Sequence, residues 1–185
     1  MRPGNAIAIA ALCLGSAIAL AAEPPAGDPD VVAELSGIDY VPTKSSLDDL
    51  FEGAAAVDLI ELAEDETDPG VKMRALRALA LYPGAETAAA LRAAIAEHGD
   101  ESTGTPTLMT RLAALSLAKV EGADAVPDLA DLIDHPSRDV RASVAEALAV
   151  TESPDAIPIL RDRLAEEPIE QVRLKIADAL RKLDP

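Results

Sequence analysis

One apolar phrase recurs along the chain. Val71, Ala75, Ala78 and Leu79 stand at offsets of zero, four, seven and eight, and so do Val140, Val144, Ala147 and Leu148. Val172, Ile176, Ala179 and Leu180 repeat it again. Those offsets place four side chains in one stripe of an α-helix. Leu108, Leu112 and Leu115 form a looser copy, in which Ala114-Leu115 takes the place of the other Ala-Leu pairs. Anchored on these pairs, the copies are 36, 33 and 32 residues apart. Val71, Val140 and Val172 are each followed by a base: Lys72, Arg141 and Arg173.

A second helix is predicted after each of the first three copies, written "GAETAAALRAAI", "GADAVPDLADLI" and "SPDAIPILRDRL". Leu91, Leu129 and Leu160 are equivalent in these segments, with Ile95, Ile133 and Leu164 one turn later. Pro127 and Pro158 fall in the first turn, where a missing N–H is tolerated. Gly84, Gly122 and Pro154 separate paired helices, and Pro69, Pro106, Pro136 and Pro168 precede the next first helix. The unit is helix, turn, helix. One such pair cannot bury its stripe alone, so pairs must stack.

The expected fold is therefore all-α: an α-solenoid of stacked antiparallel helix pairs, about four repeats including partial repeats at both ends. Ser46-Leu47-Asp48-Asp49 reads as a helix start of the capping-box type. Leu59 is expected to match Leu91. At the other end, Gln171 to Lys182 is a first helix without a second. Its polar face, with Lys175, Asp178 and Arg181, suits a cap.

The phrases "DPGVKMRALRAL", "HPSRDVRASVAEAL" and "EPIEQVRLKIADAL", with "AVPDL" and "AIPIL", resemble the HEAT repeat family, in particular its short bacterial HEAT-like, phycobilisome-lyase-type form. The resemblance runs from about Leu47 to Leu183. It implies a scaffold that binds a protein partner along a concave face lined by second helices. The outward positions there would include Arg92, Asp128, Asp131, Arg161 and Asp162. A minority of the family assists tetrapyrrole attachment, and no residue here carries that chemistry over.

Ahead of the repeats, a short positive lead is followed by the uncharged run Ala6 to Ala22, with Ala19-Leu20-Ala21 fitting a signal peptidase site. The expectation is a signal peptide over 1–21, an acidic Pro-rich segment over 22–45 and the repeat domain over 46–185. The rival is an uncleaved anchor, but a run this short and alanine-rich favours cleavage after Ala21 or Ala22. Export places the chain in the periplasm or outside the cell. Cys13, the only cysteine, lies in mid-run and serves as apolar filler, so the mature chain forms no disulfide.

Charge narrows the partner. The net charge is -17 and the pI near 4.3. Nucleic acid and anionic membrane need basic surface and are excluded as partners. From Ala22 to Asp68 there are 14 acids against one base, Lys44, which points to a protein partner with basic patches. Aromatics are only Tyr40, Phe51 and Tyr82.

Candidate chemistry changes little. His98 and His135 each end a second helix, where a histidine complements the dipole. A metal site from His98, Asp100 and Glu101 lacks paired ligand spacing, and the acidic run Glu64 to Asp68 lacks the pattern of a calcium loop. Arg111 falls at an inward offset if Ala114-Leu115 is the anchor. A one-residue rotation putting Leu112 inward is the preferred alternative. No Ser-His-acid order, phosphate loop or dinucleotide motif occurs, so no catalytic residue, metal or cofactor is expected. Two other classes stay open: an accessory or maturation subunit of an enzyme, and an acidic cation-binding surface protein.

Overall fold

The computed structural model describes residues 42–184. The signal peptide, Cys13, Tyr40 and nearly all of the acidic Pro-rich segment lie outside the described residues.

Nine α-helices and two short 3₁₀ turns make up this region, which contains no strand. α1 (Lys44–Leu50) and α2 (Ala55–Asp65) lead the array. Three pairs follow: α3 (Pro69–Ala78) with α4 (Ala85–His98), α5 (Gly104–Glu121) with α6 (Val126–Leu132), and α7 (Arg138–Val150) with α8 (Ala156–Glu166). α9 (Glu170–Leu183) closes it as an unpaired first helix. First helices pack directly on one another, α5 between α3 and α7 and α7 against α9, while second helices touch each other far less. This is the expected solenoid of stacked helix pairs.

Local chemistry sets the ends. The first capping box is formed by Thr43 and Ser46, with Ser46 as the third helical residue, so the start lies three residues before the Ser46 cap expected from sequence. The Asp68 carboxylate accepts from the Gly70 and Val71 amides at 2.7 and 3.2 Å, and Pro69 opens α3 where no N–H is needed. Tyr82, in the turn between α3 and α4, donates to Asp48 at 2.9 Å and ties that turn back to α1.

One core runs through the stack. The equivalent leucines Leu59, Leu91, Leu129 and Leu160 are all fully buried, as are Val140, Val144 and Leu148. Burying each such side chain contributes roughly 1.5–3 kcal/mol.

α5 departs from expectation. Leu108 is 41% exposed, and Leu112 and Leu115 are only half-buried. The inward stripe is Met109, Ala113, Ser116 and Leu117, at the same offsets of zero, four, seven and eight. The repeat anchor is thus Ser116-Leu117 rather than Ala114-Leu115, and neither Arg111 nor Leu112 takes the fully buried place. Small residues take the other two inward positions, Ala113 and Ser116, on the helix that packs against both α3 and α7. Thr110 is fully buried there, its hydroxyl donating to the Pro106 carbonyl at 3.1 Å.

Candidate functional site

The base after the inward valine is a structural staple in two of the three copies, at Lys72 and Arg141. Arg141 is buried, and its Nε and Nη2 donate to the two carboxylate oxygens of Glu167 at 2.7 and 2.9 Å. Its Nη1 donates to the His135 and Pro136 carbonyls at 2.8 and 3.0 Å. Glu167, whose side chain is wholly buried, also accepts from the Ile169 amide and from Arg163. The Arg141 guanidinium holds the Glu167 carboxyl down to about 2, against the opposing effect of burial. One residue thereby joins the end of the preceding second helix to the end of its own pair. Lys72 makes the same join more loosely, donating to the Glu64 carbonyl at 3.1 Å and standing 3.7 Å from Glu97. Arg173, on α9, stays exposed, 3.7 Å from Glu170.

The five expected surface residues divide. Arg92 on α4 pairs with Glu121 and donates to Asp128 at 2.9 Å, so Arg92 and Asp128 meet each other across neighbouring second helices. Glu121 raises the Arg92 pKa, assisted by Asp128. Arg161 is 3.0 Å from Asp184, with both side chains exposed. Asp131 and Asp162 are exposed and make no ion pair among the described residues. Long Arg side chains bridge the second-helix layer where apolar packing is thin. Arg163 does so too, reaching Asp134 at 2.7 Å.

Asp131 stands on a hollow between the ends of α4 and α6. Ile95, Ala96, Leu132 and Pro136 give it an apolar floor, and Asp100, Asp131 and Asp134 give it carboxylates. His135 forms part of the wall and is 6% exposed. The Ser137 amide donates to His135 Nδ1 at 2.9 Å, so the neutral ring carries its proton on Nε2. That atom is buried without a hydrogen-bond partner, as is Nε2 of His98. Sequence reasoning saw both histidines as dipole partners and missed the hollow, because its walls come from segments about one repeat apart. No group of three His, Cys, Asp or Glu among the described residues is placed to hold a metal ion.

A second hollow lies on the first-helix layer, lined by Met73, Leu108, Arg111, Leu112, Leu115 and Ser143, with Glu146. Arg111 Nε donates to Ser143 Oγ at 2.8 Å, so this arginine bridges α5 to α7 with a hydroxyl rather than a carboxylate. No helix of the described residues is long and apolar enough to cross a membrane.

Residues 102–181, the stretch from the start of α5 through most of α9, match the family model for HEAT repeats. No curated protein and no solved structure matches the chain.

Proposed function

We propose that this chain, whose residues 102–181 match the family model for HEAT repeats, is an exported, non-enzymatic scaffold holding another protein along its second-helix edge. HEAT repeats mediate protein–protein interaction, and the stacked pairs supply a rigid surface for it. The observation that carries the choice of edge is the split among its charges. Arg92 and Asp128 are spent on each other, whereas Asp131 and Asp162 face solvent with no ion pair among the described residues. Unpaired carboxylates on a rigid edge select a partner with basic patches and raise its encounter rate. Export rests on the charged lead, the apolar run and the Ala19-Leu20-Ala21 site.

The non-enzymatic reading is supported by the histidines. Neither Nε2 is hydrogen-bonded to a nucleophile or a carboxylate, and His135 Nδ1 is occupied by a backbone amide. A general base needs both a substrate-side partner and an orienting group.

Crosslinking capture from the exported fraction of the native host tests the reading. The two baits are the wild-type chain and a chain carrying Asp131→Lys with Asp162→Lys. A basic protein captured by the first and lost by the second is the expected result. Equal capture by both moves the binding surface elsewhere, and no capture by either removes the scaffold reading.

A further inference from the structure

We propose that the outer face of the first helices is a docking surface for the chain's own acidic segment, residues 22–41. The first observation is which bases are left without a partner. Among the described residues, every Lys or Arg on a second helix is ion-paired: Arg92 with Glu121 and Asp128, Arg161 with Asp184, and Arg163 with Asp134 and Glu167. On the first helices, Arg77, Arg111, Lys119, Lys175 and Lys182 make no ion pair among the described residues. The chain has 33 acids to 16 bases, so a base facing no carboxylate runs against its composition. These bases share one face. Arg77 stands one turn after Met73 and Lys119 one turn after Leu115, and both Met73 and Leu115 line the first-helix hollow with Arg111. Lys175 and Lys182 line a neighbouring hollow that meets the first at Glu146.

The second observation is apolar surface among these bases. Leu108 is exposed, and Met73, Leu112 and Leu115 are half-buried beside it. An occupant must therefore carry acids and apolar residues together. Residues 22–41 do: Glu23, Asp28, Asp30, Glu34 and Asp39 stand there with no Lys or Arg, and Leu35 and Ile38 lie between the last two acids. The third observation is where this segment joins the array. It ends directly before Pro42, ahead of α1. The Lys44 carbonyl accepts from the Tyr82 hydroxyl at 3.3 Å, and Tyr82 closes the Leu79–Leu81 turn that packs on α5. At about 3.3–3.6 Å per residue, the chain from Pro42 back to Leu35 reaches past two helix spacings of roughly 8–10 Å. Each exposed charge contact contributes little, on the order of 0.2–1 kcal/mol, but the tether makes docking intramolecular at an effective concentration on the order of millimolar. This goes beyond the scaffold reading, whose unpaired Asp131 and Asp162 lie on second helices.

The test is photo-crosslinking in the full chain with Leu35→p-benzoylphenylalanine, read by mass spectrometry of the crosslinked peptides. The expected product is a crosslink within one chain from position 35 to Met73 or to α5 between Leu108 and Leu115. Arg77→Glu with Lys119→Glu reverses two exposed bases that have no ion pair to lose, so the fold is kept, and the yield should fall by about fivefold. Arg161→Glu with Arg173→Glu, an equal charge change away from this face, should alter the yield by less than about twofold. Glu34→Lys with Asp39→Lys should lower the yield as Arg77→Glu with Lys119→Glu does, and combining the two pairs should restore it. Crosslinks to second helices, or between two chains in place of within one, would overturn the proposal. So would the absence of any crosslink in the chain, equal losses from both reversed pairs of bases, or a combined variant that stays as low as its parents.

Discussion

Lys72 and Arg141 hold the same place in their repeats, one residue after the inward valine, and both are buried. Their surroundings differ. Arg141 meets a wholly buried carboxylate in a two-pronged pair, with two carbonyls filling its remaining donors. Lys72 meets one carbonyl and a 60% exposed Glu97 at 3.7 Å. The repeat fixes where a base stands; the residue sealing the next loop fixes what that base contributes. The planar guanidinium matches a carboxylate at two points, which an ammonium cannot do.

The largest test of this difference is to remove one partner at each junction. Glu167→Ala strands the Arg141 charge in the interior and should cost roughly 3–5 kcal/mol. Lys72→Ala removes one modest hydrogen bond and a largely solvated pair and should cost about 1 kcal/mol. Urea unfolding of both variants measures the contrast. Similar losses would show that the two junctions are energetically alike.

A second contrast lies within α5. Leu117→Ala should cost roughly 2–5 kcal/mol, because Leu117 is fully buried. Leu108→Ala should stay within about 0.5 kcal/mol, since Leu108 is 41% exposed. Comparable losses would restore the Leu108-Leu112-Leu115 stripe as the inward one.

These leucines show what the sequence could convey. Where the inward residues are also the large ones, as with Val140, Val144 and Leu148, periodicity alone located the core. In α5 the inward Met109 and Leu117 are interleaved with Ala113 and Ser116, so the evenly spaced Leu108, Leu112 and Leu115 draw the eye to the wrong face. Size is a poor guide where helices pack closely. The staples were half legible. Three bases in phase were visible, but the partner of Arg141 lies 26 residues on, directly before Pro168. Asp68 also precedes a proline and serves instead as a helix cap, so that signal does not identify a staple. The surface strip was legible as charge and not as pairing. Whether Arg92 faces a partner or Asp128 depends on how far successive second helices stand apart, which spacing in the chain does not encode.

The junctions should also differ with pH. Arg141 depresses the folded-state pKa of Glu167 from 4.5 to about 2. A depressed carboxylate contributes stability that is complete above its unfolded value and is lost as pH falls through the folded one. Wild-type stability should therefore fall between about pH 4.5 and 2, and Glu167→Gln should flatten that part of the profile. Thermal melts across the range check it; an unchanged slope in the variant would assign the acid sensitivity elsewhere.

The smallest effect is expected at Arg92. It bridges α4 to Glu121 and Asp128 with its side chain 39% exposed, so Arg92→Ala should cost no more than about 1 kcal/mol. Adding salt should shrink that cost further, and a loss of several kcal/mol would mark the second-helix layer as more tightly coupled than its packing indicates.

The most direct measurement is a pair of double-mutant cycles, Arg141 with Glu167 and Lys72 with Glu97, read as unfolding free energies. The account predicts a coupling of about 2–3 kcal/mol at the Arg141 junction and less than about 0.5 kcal/mol at the Lys72 junction. Equal couplings would contradict the claim that one position in the repeat is a sealed staple in one place and a loose one in the other.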